Sequence, residues 1–448
     1  MSGPEKTQLK AGALGFWECV MIGIGGMVGS CIFTLSGVTY GLAGPASLAA
    51  WIIAAVIILL YALNIAELSS RFPHAGGLYT YPAETLGATP AVRQFMGWLA
   101  SWSWVNVTVL GAAFGAIFVA GYLDAIIPGA KDAIMLVGIL SVIFCWAVNY
   151  FGISLMGKTN LVLTLLLIVG CLAYSFAAFP HMDSANFQNF WSSGAMGKSG
   201  IMTSIPMAML AYGSVIAIAS LAEEARDPRK TIPRAITTSL LMTVALYVIM
   251  LVATFGVVAW TEFTPDSWAY YAPMNFAAAM FAPGSPWIGV VISASALFAI
   301  ITTMLVLLMS CSRTLMGVAE GGLLPASFKQ VNKYQVPGVS LTVSAIATAV
   351  IACFPQFTME IIGTGSLCSA IVVIIMALSL IAARAGNKGA AGAYMVPGGY
   401  LLPILTIIVV VVNLVKLPKA SYVLGAWWYL IGLAIFLVGR MASQKAPK

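Results

Sequence analysis

Four glycines, a serine and a cysteine lie close together in one long apolar segment, in the stretch GIGGMVGSCIF from Gly23 to Phe33. Because glycine tolerates backbone conformations outside the helix, this spacing predicts an interrupted membrane helix. A helix that restarts after Gly29 would present the free amides of Ser30 and Cys31 to an anion. The half-helix that ends near Met27 would offer carbonyl groups to a cation. Together the two ends suit the carboxylate and ammonium groups of an α-amino acid.

The glycines also allow a second interpretation, since a face of small residues lets two membrane helices pack closely. An interruption is favoured by the sixth apolar segment, which carries Ala211, Tyr212, Gly213 and Ser214 near its middle. Paired interruptions in corresponding positions of two halves of a chain are the best sequence indication of a central binding site in a membrane transporter. Tyr212 could either cover a bound ligand or pack as an ordinary aromatic residue.

The composition indicates that these segments lie in a lipid bilayer. Of the 448 residues, 61% are hydrophobic and 8% are charged, against about 25% charged residues in soluble domains. Apolar segments near the ~20 residues that a spanning helix needs occur about twelve times. They are 14–40, 46–68, 95–123, 133–150, 159–180, 201–221, 235–260, 286–311, 339–354, 362–383, 400–416 and 422–440. We therefore expect an all-α integral membrane protein, one transmembrane domain over residues 1–448, without a separate soluble domain or a cleaved signal peptide.

The basic residues are distributed unequally between the two sides of the predicted helices. If the N-terminus is cytoplasmic, 17 of the 21 lysines and arginines lie on the cytoplasmic side. The four on the other side are Lys131, Lys198, Lys416 and Lys419. This bias predicts an even number of spans in the cell (inner) membrane, with both termini in the cytoplasm. It accounts for the net charge of +7 through an anionic lipid surface, so no nucleic-acid partner is expected.

The seven cysteines fall in or beside the apolar segments and show no spacing typical of metal sites. We expect them to be small buried residues, and we expect neither a metal nor a cofactor. The sequence also contains no visible combination of nucleophile, base and oxyanion site, and no nucleotide-binding loop. An enzyme is therefore the least favoured class of function.

Three loop segments are similar to the signature loops of the amino acid–polyamine–organocation transporter superfamily. They are RFPHAGGLYTYPAETLG (Arg71–Gly87), EEARDPRKTIPRAI (Glu223–Ile236) and EGGLLPASFKQVNKYQVPGVS (Glu320–Ser340), and with GGMVGSCIF they occur in the order found in that family. The resemblance runs from about residue 14 to the last span. It implies the leucine-transporter fold, in which spans 1 to 5 (14–180) and 6 to 10 (201–383) are inverted repeats. Spans 1 and 6 would be broken, and two helices over 400–440 would be peripheral.

The same resemblance implies residue roles and a mechanism. Alternating access would carry a small amine-bearing substrate across the membrane. The carboxylate-binding amides fall on Ser30 and Cys31, with Gly29 allowing close approach, and the amine-binding carbonyls fall on Met27, Leu210 and Gly213. The family's Gly-Ser-Gly turn reads Gly-Ser-Cys in this chain, so we expect a slightly narrower site.

The segment after the sixth span carries charges of both signs. Glu223, Glu224, Arg226 and Arg229 could form a cytoplasmic gate network that breaks when the transporter opens. A cluster of solvated charges at a helix end is the alternative interpretation.

The sequence favours a substrate without net charge. A charged side chain near the centre of a bilayer is costly and usually marks coupling or a charged substrate, yet the spans carry their acids only near their ends. Where relatives have an acid in the sixth span this chain has Ile216, and where some have a lysine in the fifth span it has Leu167. We therefore expect a neutral amino acid. The candidate residues of its side-chain pocket are Trp102, Trp104, Asn106, Tyr212, Phe298 and Ser366.

The sequence leaves open which ion, if any, is coupled to transport. Hydroxyl groups of the eighth span (Ser293, Ser295, Thr302 and Thr303) could face the first span and hold sodium, although such hydroxyls usually bond to their own helix. Proton symport through Glu18 and exchange without an ion are the alternatives. A carrier of a polyamine, another amine or an organic cation, and a non-transporting sensor or subunit, are the other functions considered; a homodimer is a further possibility.

Overall fold

The structure is a computed structural model that describes residues 9–74, 76–415, 417 and 419–445. Lys416, one of the four basic residues expected on the outer side, lies outside the described residues. Within those ranges the regular elements are helices, joined by short turns and 3₁₀ segments. The all-helical architecture expected from the apolar pattern is confirmed.

Sixteen α-helices are described. They are α1 (Phe16–Met27), α2 (Ser30–Ala43), α3 (Ser47–Arg71), α4 (Gly77–Thr85), α5 (Pro90–Leu123), α6 (Ile134–Tyr150), α7 (Ile153–Ala178), α8 (Lys198–Tyr212), α9 (Pro228–Val257), α10 (Trp268–Tyr271), α11 (Pro273–Phe281), α12 (Pro286–Glu320), α13 (Gly338–Ala352), α14 (Thr358–Ala385), α15 (Leu401–Leu414) and α16 (Lys419–Lys445).

Nine helical stretches among the described residues are long and apolar enough to cross a membrane. One of them, Ser30–Arg71, contains both α2 and α3, which are separated by a single 3₁₀ turn. Three shorter apolar helices, α1, α13 and α15, accompany them. Large apolar side chains such as Val169, Phe176 and Leu430 are more than half exposed, as expected where helices face lipid.

The short helix α1 lies in the middle of the bundle. It packs against α7, α9 and α12, and the two longest helices, α5 and α12, pack along each other. Eight of the twelve residues of α1 are buried, all of them between Cys19 and Met27, so the C-terminal end of the helix is enclosed by protein, whereas Trp17 near its start is 57% exposed. Polar backbone groups at an interruption of this helix must therefore find partners inside the protein.

A buried cluster of charges closes one end of the bundle. The carboxylate of Glu67, which is fully buried in α3, accepts hydrogen bonds from Arg71 Nε at 2.9 Å, from Arg384 of α14 at 3.0 Å (Nε), and from the amide of Val396 at 2.8 Å. Arg71 also donates to the carbonyl of Lys388 at 2.7 Å. One carboxylate thus holds two guanidinium groups and ties the loop between α14 and α15 to the end of α3.

We expect Glu67→Gln to lower the free energy of unfolding by about 3–5 kcal/mol, because it leaves two buried guanidinium groups without an anion. Thermal unfolding of the detergent-solubilised protein measures the change. Glu84→Gln is the matched control, since the side chain of Glu84 is exposed and only its backbone carbonyl is used, by Lys388. Equal unfolding temperatures for the two variants would contradict this account of the cluster.

Candidate functional site

The first apolar segment is interrupted between Met27 and Ser30. The residues in between are extended, Val28 with ψ 92° and Gly29 with φ −124° and ψ −160°, and no side chain caps the start of α2. The first amides of an α-helix have no acceptor within the helix. The amides of Ser30 and Cys31, which begin α2, have no hydrogen-bond acceptor among the other residues that the structure describes, and they lie where the glycine pattern predicts free amides.

The hydroxyl group of Thr303, on another helix, reaches the carbonyls at the end of α1. The Oγ1 atom of Thr303, on α12, lies 2.9 Å from the carbonyl oxygen of Gly25, 3.2 Å from that of Gly26 and 3.3 Å from that of Val28. A Cβ atom added to Gly29 would lie 2.8 Å from the same hydroxyl oxygen. Thr303 thus offers one hydroxyl proton to the three carbonyls at this side of the break, and a side chain at position 29 would obstruct it.

Tyr247, on α9, connects this break to the second one. Its hydroxyl lies 2.9 Å from the carbonyl oxygen of Met27 and 3.2 Å from that of Ala211, near the end of α8. Its ring also packs against Tyr212. A single phenol therefore fixes the two chain interruptions relative to each other.

The second interruption is a change of helix type. The α-helical hydrogen bonding of α8 ends at Tyr212, and the chain continues as a nine-residue 3₁₀ helix over Gly213–Leu221. Runs of 3₁₀ helix longer than three or four residues are uncommon and often mark functional sites. The sequence placed the interruption at residues 211–214, and the structure has the transition there without an unwound loop.

A cavity of about 190 Å³ lies between the two interruptions. This is below the ~300–1,000 Å³ of sites for drug-sized ligands, so the cavity suits a small molecule. Six of the predicted site residues line it: Met27, Gly29, Ser30, Cys31, Leu210 and Gly213. Ser366, predicted for the side-chain pocket, lines it as well.

The walls of the cavity are apolar, with a few hydroxyl groups. Apolar lining residues are Leu35, Val107, Leu110, Phe114, Ile300, Leu307 and Ile362, and hydroxyl groups come from Ser30, Ser214, Thr303, Ser366 and Ser369. None of the described residues that line the cavity is charged. Cys31 is half-buried there, whereas five of the other six cysteines are buried.

Two predicted site residues, Tyr212 and Asn106, do not line the cavity. Tyr212 is fully buried, donates weakly to the carbonyl of Trp51 at 3.5 Å and packs against its ring. Tyr212 therefore packs against Trp51 as an ordinary aromatic residue and does not line the cavity. Asn106 is buried in α5, and its Oδ1 atom has no hydrogen-bond partner among the described residues.

The aromatic residues predicted for the side-chain pocket do not line the cavity, and two of them make contacts with other helices. Trp102 stacks on Trp428 of α16 with ring centroids 4.4 Å apart, and Trp104 donates to the hydroxyl of Ser310 at 2.9 Å. Phe298 is not among the lining residues. Helical periodicity alone could not distinguish the cavity face of these helices from the faces that pack on neighbouring helices.

Thr303 differs from the other hydroxyl residues considered on α12. Ser295 and Thr302 donate to carbonyls of their own helix, at 2.8 and 2.9 Å. Ser293 accepts a hydrogen bond from Asn275 at 2.9 Å. Only Thr303, among these four residues of α12, bonds to the end of α1. Tyr247 was missed at the sequence level, although a tyrosine in an apolar helix requires a partner for its hydroxyl.

The four charged residues expected to form one gate network each bind a different segment. Glu224 forms a buried bidentate ion pair with Arg313 of α12, with both N···O distances 2.7 Å. Arg226 donates to the carbonyl of Gly12, and Arg229 to that of Ala391. The structure thus adds Arg313, which the sequence analysis did not single out as a partner.

Glu223 lies 3.8 Å from Nδ1 of His74, in the loop after α3. The interaction with this carboxylate, which outweighs desolvation, raises the pKa of His74. The backbone around Glu224 is also tied down, because its carbonyl accepts from Leu14 N–H at 3.0 Å and Arg226 N–H donates to the Leu14 carbonyl at 2.9 Å. The chain before α1 is thereby fastened to the end of the 3₁₀ helix.

We expect Glu224→Gln to open this end of the bundle, because it leaves Arg313 buried without a carboxylate. Cys19, fully buried on α1, reports the opening through its reactivity with N-ethylmaleimide in a variant that keeps no other cysteine. Reactivity should rise in Glu224→Gln and stay low in Glu84→Gln, which changes an exposed acid. If both variants leave Cys19 equally unreactive, the ion pair does not hold the end closed.

Comparison with known proteins assigns this chain to a family. The family described as amino acid permease matches residues 14–438. Among similar proteins are two branched-chain amino acid permeases named BcaP, each 26% identical and each covering 96% of this chain and 94% of its own length. They come from Bacillus subtilis and Lactococcus lactis. Cationic amino acid transporter 4 of Mus musculus is 28% identical over 75% of this chain and 54% of its own length.

These relatives are transporters and not enzymes, in agreement with the expectation from the sequence. The match extends over nearly the whole chain and includes both interrupted segments and the three loop motifs. The chain is therefore a member of the amino acid permease family, within the amino acid–polyamine–organocation superfamily.

Proposed function

We propose that this protein is a secondary active transporter that carries a small, neutral amino acid across the cell (inner) membrane by alternating access, as a symporter or an exchanger. The observation that carries this proposal is the uncharged cavity between the two helix interruptions. Residues at the start of α2 and at the ends of α1 and α8 line it together with apolar walls, and its volume suits a single small molecule.

The head of the substrate would bind at the interruptions. The carboxylate would accept hydrogen bonds from the amides of Ser30 and Cys31, where the dipole of α2 favours negative charge. The ammonium group would lie against carbonyls of Met27, Leu210 and Gly213, all of which line the cavity. Because the Tyr247 hydroxyl donates to the Met27 carbonyl, the position of this carbonyl is fixed before the substrate binds.

The absence of charge on the described walls supports a neutral side chain. Ile216 and Leu167, which stand where relatives have charged residues, are both buried and apolar. A cationic side chain would lose its hydration in this cavity without gaining an anion, at a cost of several kcal/mol. A cationic amino acid is the second candidate, favoured by the similarity to a cationic amino acid transporter of Mus musculus.

We propose that the helices form twelve spans. In this reading α1 with α2 forms span 1, α8 with the 3₁₀ helix Gly213–Leu221 forms span 6, and α4, α10 and α11 lie outside the count. Residues 14–180 and 201–383 would form the inverted repeats of the leucine-transporter fold, and both termini would be cytoplasmic. The end that Glu224 and Arg313 close would then be the cytoplasmic gate.

Uptake into proteoliposomes tests this function. We expect saturable uptake of a labelled neutral amino acid such as leucine or alanine. Loss of hydration costs a cationic side chain several kcal/mol in this cavity, and each 1.4 kcal/mol changes binding tenfold. Lysine and putrescine should therefore compete at least ~100-fold more weakly than a neutral amino acid. Parallel assays with a sodium gradient, with a proton gradient and with internal substrate identify the coupling. Preferred transport of lysine or putrescine would overturn the neutral-substrate proposal.

The role of the break is tested by Gly29→Val. The backbone at position 29 is extended and open to any residue, so the effect must come from the side chain, which meets the Thr303 hydroxyl and fills the space before the amides. We expect loss of leucine binding, measured by scintillation proximity, with an unchanged elution profile in detergent. Gly121→Val is the control, since its added Cβ meets nothing within 4 Å. Normal binding by Gly29→Val would place the substrate elsewhere.

A further inference from the structure

The cavity extends beyond the two interrupted helices to α15, a helix that the sequence places at the periphery. Val410, Asn413 and Leu414 of α15 line it, together with Leu417 just after the helix. Ile58 and Tyr61 of α3, a helix that packs against α15, line the same space. We call the part of the cavity that is lined by these residues of α3 and α15, and by Ile362 and Ser366 of α14, the outer compartment.

The sequence of α15 is arranged for this contact. Pro403, Thr406, Val410 and Asn413 recur at intervals of three and four residues, which places them on one face of the helix. Thr406 and Val410 are 2% and 3% exposed, whereas Ile408 and Val412 on the other face are 53% and 51% exposed. The face that carries Asn413 is therefore turned toward α3 and α14, and the other face toward lipid.

Polar groups on this face are paired at one level of the bundle and unpaired at the next. Asn64 of α3 donates to the hydroxyl of Thr406 at 3.0 Å, which closes the contact between the two helices. One turn away on α3, the hydroxyl of Tyr61 makes no hydrogen bond to another described residue, although Tyr61 is only 3% exposed. Two turns away on α15, Asn413 uses its amide nitrogen on the carbonyl of Val409 at 2.8 Å. The Asn413 side-chain oxygen has no donor among the described residues.

Unpaired polar groups are costly in an apolar environment unless water or a ligand satisfies them. A tyrosine and an asparagine that both face one cavity thus point to polar contents in the outer compartment. The other walls there are apolar, including Ile58, Val410 and Ile362, and no described lining residue is charged. The compartment is suited to a small solute with an apolar side chain and polar hydrogen-bonding groups.

The compartment lies at the end of the bundle away from the buried ion pairs. Its residues on α14, such as Ile362 and Ser366, belong to the first turns of that helix, whereas Arg384 in the last turn binds Glu67. A solute in the outer compartment would therefore approach the interruptions from the end opposite to the Glu224–Arg313 pair.

We propose that the outer compartment is a second binding position for the transported neutral amino acid, occupied before it reaches the interrupted helices, with Tyr61 and Asn413 as the residues that bind its polar groups. This inference rests on the proposed transport function. It assigns to α15 a part in substrate selection, through the single polar side chain that the helix presents to the cavity two turns beyond Thr406.

Accessibility of α15 tests the compartment independently of transport. In a variant whose native cysteines are replaced, Asn413→Cys should react with a membrane-impermeant methanethiosulfonate, and leucine should slow the reaction. Val412→Cys, on the lipid-facing side of the same turn, should not react. An unreactive thiol in Asn413→Cys, or equal reactivity in the two variants, would overturn the proposal.

Transport kinetics test the role of the side chain. Asn413→Leu keeps a side chain of similar size but removes the hydrogen-bonding groups, and we expect KM for leucine to rise roughly tenfold, the equivalent of one lost hydrogen bond. Val412→Leu is the matched control and should keep the wild-type KM. Modification of Asn413→Cys after folding should also block uptake, which excludes a folding defect as the cause.

The outcomes separate the two proposals. If the wild-type protein transports neutral amino acids but Asn413→Leu and modified Asn413→Cys behave like their controls, only the second binding position is refuted. If the wild-type protein transports no amino acid, the proposed function fails, and with it the assignment of the occupant. Reactivity of Asn413→Cys that leucine does not slow would show an aqueous space without a substrate position and would also refute the inference.

Discussion

The structure depends on satisfying backbone polar groups at a helix break that is surrounded by apolar protein. A break inside a membrane leaves amides and carbonyls that cost several kcal/mol each if they stay unpaired. On the carbonyl side, the end of α1 accepts hydrogen bonds from Thr303 and Tyr247, two residues that are distant in the sequence. On the amide side, Ser30 and Cys31 line the cavity, and no side chain caps the start of α2. We propose that an anionic group binds on the amide side; the two helices that carry the hydroxyl groups, α9 and α12, pack on α1.

A second constraint is the contrast between the two ends of the bundle. One end is closed by buried ion pairs, in which Glu224 holds Arg313 and Glu67 holds two arginines. Toward the other end the cavity has uncharged walls and extends to α15. Buried ion pairs contribute little net stability but are costly to break one partner at a time. They therefore suit a contact that must be either fully formed or fully separated, as a gate requires.

Much of the site could be predicted from the sequence because glycine spacing carries the information locally. Gly26, Gly29, Leu210 and Gly213 lie in the cavity wall. Tyr247 and Arg313 could not be assigned, because their partners are 220 and 89 residues away and no local pattern joins them. Tyr212 and Trp104 do not line the cavity, and composition does not tell which face of a helix meets a cavity. The polar positions of α15, Thr406 and Asn413, do carry a readable seven-residue spacing.

The central claim is that the break between α1 and α2 binds the head of an amino acid. The most direct measurement is an experimental structure of the purified protein with bound leucine. The account predicts the leucine carboxylate within hydrogen-bond distance of the amides of Ser30 and Cys31, and the ammonium group against the carbonyls of Met27 and Leu210. Leucine bound away from the break, or a break closed into a continuous helix with leucine present, would contradict it.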